Sequence, residues 1–165
     1  MTRSELEIII KRRAAITVTI FAALLAINTM LASSNSSRIL TNTIAANNLW
    51  AWYQAKNVRS VVYATTADTV EDKRLAQHYH QQVQRLRDDP ADGMEALAAK
   101  AKELEAERDH AKERSPFFTY AGSALQIGIV LSTAAILAVA MPLFWASVAT
   151  GAMGAGLFLF GYLAI

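Results

Sequence analysis

His78 and His80, with Glu71 and Asp72 upstream, are the residues that most resemble metal ligands in this sequence. Residues two apart on a helix point about 200° from one another, so the two imidazoles diverge. The spacing that lets two histidines share a zinc ion on a helix is four, and no histidine pair has it. His110 stands beside Asp109 in a charge-dense stretch with no second histidine near. The carboxylate pair Asp88-Asp89 precedes Pro90, where capping the next helix is a sufficient role. No glycine-rich phosphate loop and no G-x-S-x-G elbow occurs, and Ser33-Ser34-Asn35-Ser36-Ser37 reads as a polar junction between two apolar segments. With zero cysteines, thiolate catalysis, cysteine-type zinc sites and iron–sulfur clusters are excluded. The expectation is a protein that is not an enzyme, with no catalytic residue, no metal and no cofactor.

The elements that would carry any function follow from the distribution of charge. The 165 residues are 53% hydrophobic and 18% charged, against about a quarter charged in an ordinary globular domain. From Ala14 to Ala55 the one charged residue is Arg38, and none follows Arg114. Uncharged stretches at 14–31, 117–141 and 143–165 approach or exceed the ~20 residues a helix needs to cross hydrocarbon. Pro142 interrupts the last apolar run and predicts a tight hairpin between spans two and three. Span one follows Lys11-Arg12-Arg13 like a secretory signal, but its apolar run exceeds a normal signal core, so a retained signal anchor is expected. The same basic cluster places residues 1–13 in the cytoplasm and residues 32–116 on the far side of a bacterial inner membrane, in the periplasm. Arg38, Arg108, Lys112 and Arg114, near the other span ends, are a counter-signal. Residues 32–116 carry 12 basic and 12 acidic residues, so there is no basic stripe for nucleic acid.

Span three is rich in small residues. Ser147, Gly151 and Ala155 share one stripe, Ala146, Thr150 and Gly154 the next, with Gly156 and Gly161 beyond. Such spacing lets helix backbones approach closely inside a membrane, and Ser147, Gly151, Gly154 and Ala155 are the expected packing positions against span two. Asn28, Thr29 and Gln126 are polar groups within the spans, and each needs a hydrogen-bond partner.

Residues 32–116 show no period-two alternation and read as three helices. Leu40, Ile44, Asn47, Ala51, Gln54, Val58, Val61 and Thr65 repeat at alternating intervals of four and three along an outgoing arm. A break with a new cap is expected at Thr66 or Asp68, then a crossing helix from about Thr69 to Arg87 with Leu75, Tyr79, Val83 and Leu86 on one side. Asp89 as cap and Pro90 as first helical residue open a returning arm to about Arg114, with Met94, Leu97, Ala101, Leu104, Arg108 and Ala111 on its seam. Its charged faces, including Glu103, Glu105 and Glu107, are expected to be solvated.

The outgoing arm is uncharged from Ile39 to Ala55. Ile39, Ala46, Trp50, Tyr53 and Val61 form one stripe and Leu40, Ile44, Ala51, Val58 and Val62 another, a non-solvent arc of about 200° where one partner covers about 100°. Such a helix has two neighbours: the returning arm and, we expect, a second copy of the chain. The expected oligomer interface is Leu40, Ile44, Asn47, Trp50, Ala51, Tyr53, Gln54 and Val58. The alternative, an aromatic belt lying on the bilayer, is disfavoured because Trp52 projects nearly opposite Trp50.

The stretch from Ala46 to Arg59, with Trp50, Tyr53, Gln54, Ala55 and Lys56 as its specific part, follows one span and precedes a charged helical segment and a two-span hairpin. In this order of parts the chain resembles a bacterial family of three-span membrane proteins described only as a domain of unknown function. The resemblance implies no activity, ligand or catalytic residue. The fold expected is therefore an all-α integral membrane protein with three transmembrane helices and a coiled-coil-like helical insertion between spans one and two. The function expected is that of a non-catalytic, self-associating membrane scaffold or an accessory subunit of a membrane complex. Its partners would be the lipid bilayer, further copies of itself and another membrane protein, without nucleic acid. The alternative is an oligomeric channel or transport-related protein lined by span one and the Ser/Asn/Thr-rich arm.

Overall fold

A computed structural model describes residues 3–163 as four helices: α1 (Arg3–Thr69), α2 (Lys73–Asp88), α3 (Met94–Ala138) and α4 (Met141–Leu163). The chain is all-α among the described residues, and α1, α3 and α4 are each long and apolar enough to cross a membrane. It divides into two compact units, Met1–Ser37 with His110–Ile165, and Arg38–Asp109.

Within the first unit, α1 and α3 pack antiparallel in a heptad register. Ala14, Phe21, Asn28 and Asn35 recur at seven-residue intervals, the repeat that keeps one face of a helix on its neighbour. Ala14 joins a core with Ile10, Ala135 and Phe144. Asn28 Nδ2 donates to the Phe118 carbonyl at 2.9 Å, and Asn35 Nδ2 to the Ala111 carbonyl at 2.7 Å. The α3–α4 hairpin thus lies at the same end of this unit as Ile10. At the other end Gly161 packs against Phe117. The tight hairpin expected at Pro142 is present but falls earlier, at Val139–Ala140: Val139 takes a positive φ of 50°, and α4 opens at Met141 with Pro142 in its first turn, where a missing N–H costs nothing, rather than in the link.

Within the second unit, Met94, Leu97 and Ala101 of α3 are buried, as their spacing predicts, together with Ala46, Ser60 and Ala67 of α1. No residue of α2 is buried, and Tyr79 meets Tyr63 with ring centroids 5.6 Å apart.

The helix ends differ from expectation in three further places. The Ser33–Ser37 stretch is not a junction but the interior of α1. It contains no glycine or proline to stop a helix, and Asn35 is held by α3. The break expected at 65–68 falls at Val70–Asp72 instead. Thr65, Thr66 and Thr69 bond back to the carbonyls of Val61, Val62 and Thr65 at 2.9, 2.8 and 3.0 Å, so these hydroxyls serve the helix they lie in. The capping role goes to Asp72, which accepts from the Arg74 N–H at 2.8 Å. Finally, Asp89 caps a turn through Pro90, but regular α3 opens at Met94 rather than Pro90 and then continues through Pro116 to Ala138.

Candidate interaction surfaces

The outgoing arm, residues 38–69 of α1, has a covered side and an open side. On the covered side Ala46 is fully buried, Ile39 and Tyr53 are half-buried, and Trp50 donates its indole N–H to Glu105 Oε1 at 3.1 Å. Trp50 and Tyr53 meet edge to face at 5.6 Å. Asn42 Nδ2 reaches Glu107 Oε2 at 3.1 Å, and Lys56 pairs with Asp92 at 2.8 Å. Glu105 and Glu107 therefore do not belong to a purely solvated face: each accepts a hydrogen bond from the arm. Arg108, at a seam position, bonds through Nε and Nη2 to Asp109 at 2.9 and 3.1 Å, which raises its pKa above the ordinary arginine value.

The open side carries the other apolar stripe. Leu40 is 61% exposed, Ile44 53% and Val58 64%, and Asn47, Ala51 and Gln54 between them are exposed too. Val61, assigned by projection to the covered stripe, lies on this open side with Val62. Of the eight residues expected at an oligomer interface, six thus share the open face, while Trp50 bonds to α3 and the half-buried Tyr53 meets the Trp50 ring. Trp52 is also exposed, beside a shallow groove formed with Ala45, Asn48 and Leu49.

In the first unit the small residues of α4 make close contacts. Ser147 is fully buried, meets the Ser132 hydroxyl at 2.5 Å and donates to the Gly128 carbonyl at 2.8 Å. Gly151 faces the Phe21 ring so closely that an added methyl group would overlap it, and Gly154 lies over the backbone of Ala121 and Leu125. Ala155 is half-buried. Gly156, by contrast, faces open space.

The polar groups of the apolar helices fare differently. Thr17, Thr19 and Thr29 bond to the carbonyls of Arg13, Ala15 and Leu25 at 3.0, 3.0 and 2.8 Å. Asn28 reaches α3, and its Oδ1 is left without a partner among the described residues. Gln126 is exposed on α3 and has no side-chain hydrogen bond among the described residues. Sequence reasoning missed Asn35 as a helix–helix contact, although its distance of seven from Asn28 was a usable signal. No group of three or more histidine, aspartate or glutamate side chains is placed to hold a metal among the described residues.

No curated protein and no solved structure matches the chain. The model of one family, Domain of unknown function (DUF4337), matches residues 10–164, nearly the whole length over which these helices run. The chain belongs to that family.

Proposed function

We propose that the protein is a non-catalytic, self-associating component of a bacterial inner membrane, acting as a scaffold or as an accessory subunit of a membrane complex. Three apolar helices would cross the bilayer, with Lys11, Arg12 and Arg13 holding the N-terminus in the cytoplasm. The observation that carries self-association is the open stripe of the arm: Leu40, Ile44, Ala51, Val58 and Val62 on a helix with no charge from Ile39 to Ala55. An exposed apolar stripe at heptad spacing, interrupted by Asn47 and Gln54, matches the pattern by which helices pair and fix register. A pore lined by span one receives less support. Thr17, Thr19 and Thr29 are engaged by their own helix, and Asn28 and Asn35 by α3.

The test is the mass of the native complex in detergent, for the wild type and for Asn47→Asp. A carboxylate enclosed in a seam without a partner costs about 3–5 kcal/mol, so this variant should fall apart. Glu103→Ala, which removes an exposed charge from the returning arm, should cost at most about 1 kcal/mol and leave the complex intact. A monomeric wild type in both detergent and native membranes, or Asn47→Asp at wild-type mass, overturns the proposal.

A further inference from the structure

Gln126 stands near the centre of the apolar part of α3, nine residues from Phe117 and twelve from Ala138. At 1.5 Å per residue these distances are about 13 and 18 Å, more than a glutamine side chain can reach. Resting on the membrane-spanning part of the reading above, this puts a carboxamide in hydrocarbon with no water within reach. The neighbouring hydroxyls spend their protons on their own helix, Thr119, Ser123 and Thr133 donating to the carbonyls of Ser115, Thr119 and Ile129 at 3.1, 3.0 and 3.0 Å, so none of these three has a proton left for the Gln126 carbonyl oxygen. The surface around Gln126 is a stripe rather than a scatter. Tyr120, Ser123, Ile127, Val130 and Leu137 are exposed at heptad-type spacing, and a shallow groove runs past Ser123, Gln126 and Val130.

We infer that this face of α3 is a second, intramembrane contact between copies of the chain, in which the Gln126 side chains of two copies hydrogen-bond to each other. A carboxamide offers both a donor and an acceptor, so it is complementary to itself. A two-fold axis along the membrane normal brings each residue of the stripe to its own counterpart at the same depth, which is the one placement that self-complementarity requires. Lipid chains supply neither donor nor acceptor. Heptad-type spacing of the flanking residues suits the left-handed crossing common among membrane helices.

The chain has no cysteine, so single cysteines report contacts directly in native membranes. Oxidation should cross-link Val130→Cys into a homodimer, and should leave Leu159→Cys, exposed on α4, as monomer. Adding Gln126→Leu to Val130→Cys should weaken the association about 3- to 30-fold, and Gln126→Asn should restore part of it. Absence of the Val130→Cys dimer, an adduct with a different protein, equal cross-linking at Leu159→Cys, or indifference to Gln126→Leu overturns the inference. Val58→Cys on the arm separates the two readings. If it cross-links while Val130→Cys does not, the arm contact stands and this one falls; the reverse result leaves this one standing and removes the arm.

Discussion

Asp89 shows how one side chain organises a turn. Its carboxylate accepts from the N–H groups of Ala91 at 2.9 Å and Asp92 at 3.4 Å, and its own carbonyl accepts from Gly93 at 2.7 Å. Those two backbone donors, Ala91 first, lower its pKa below the ordinary aspartate value, and the charges of Arg85 and Lys56 act in the same direction. Because the folded value is the lower one, the carboxylate's contribution is complete above the unfolded value of about 3.9 and is lost as pH falls through the folded value. A carboxyl-carbon NMR titration should therefore place the Asp89 midpoint below that of a free aspartate, with the turn unchanged from neutral pH to about 5. Asp89→Asn keeps an acceptor oxygen and should retain the turn while abolishing that acid limb. Gly93 completes the turn for a steric reason, since an added Cβ would stand 2.5 Å from the Asp89 carbonyl oxygen. The turn's chemistry was legible in Asp88-Asp89-Pro90-Ala91-Asp92-Gly93, but its span was not. Asparagine was harder to read. Asn28, Asn35 and Asn47 are chemically identical, yet two bond across to α3 and one is exposed, and the partner carbonyls lie some 80 residues away along the chain.

At the scale of elements, hydropathy and spacing located the apolar helices and the returning-arm seam, because both depend on short-range pattern. They did not reveal that α1 runs unbroken for 67 residues. Serines and threonines can end a helix by capping or continue it by bonding to a carbonyl four residues back, and the choice depends on what holds the segment from outside. Close packing of α4 was legible as a set of small residues, but which of them matters depends on what each one meets. Gly151→Ala would drive a methyl group into Phe21 and should lower stability by about 1–3 kcal/mol. Gly156→Ala, with open space around it, should be neutral or stabilising by up to about 1 kcal/mol through helix propensity. Apparent thermal midpoints of the two purified variants in one detergent check the ordering, and equal midpoints would remove Phe21 from the account of this packing.

On the proposed membrane-spanning reading, the decisive quantity for the whole molecule is which end of each apolar helix would meet the cytoplasm. Within the first unit, Ile10 and Ala14 share a core with Ala135 and Phe144, so the start of α1 and the Val139–Ala140 hairpin lie at one end. An orientation assigned to Lys11, Arg12 and Arg13 therefore applies to the hairpin as well, which has no charge of its own to speak for it. Arg38, Arg108, Lys112 and Arg114 favour the inverse arrangement, but the last three are interleaved with Asp109 and Glu113 on a long insertion, and long insertions are translocated largely regardless of charge. On the proposed orientation, Ala91→Cys reacts with an impermeant thiol reagent as soon as the outer membrane is opened. Ala140→Cys, in the hairpin, reacts after the inner membrane is breached. On that reading the two positions report opposite sides, because the apolar part of α3 would cross the bilayer between them. Reversed labelling would overturn the proposed orientation and leave the three-span reading in place; labelling of both from the same side would overturn the placement of α3 across the membrane, and with it the depth at which Gln126 needs a partner.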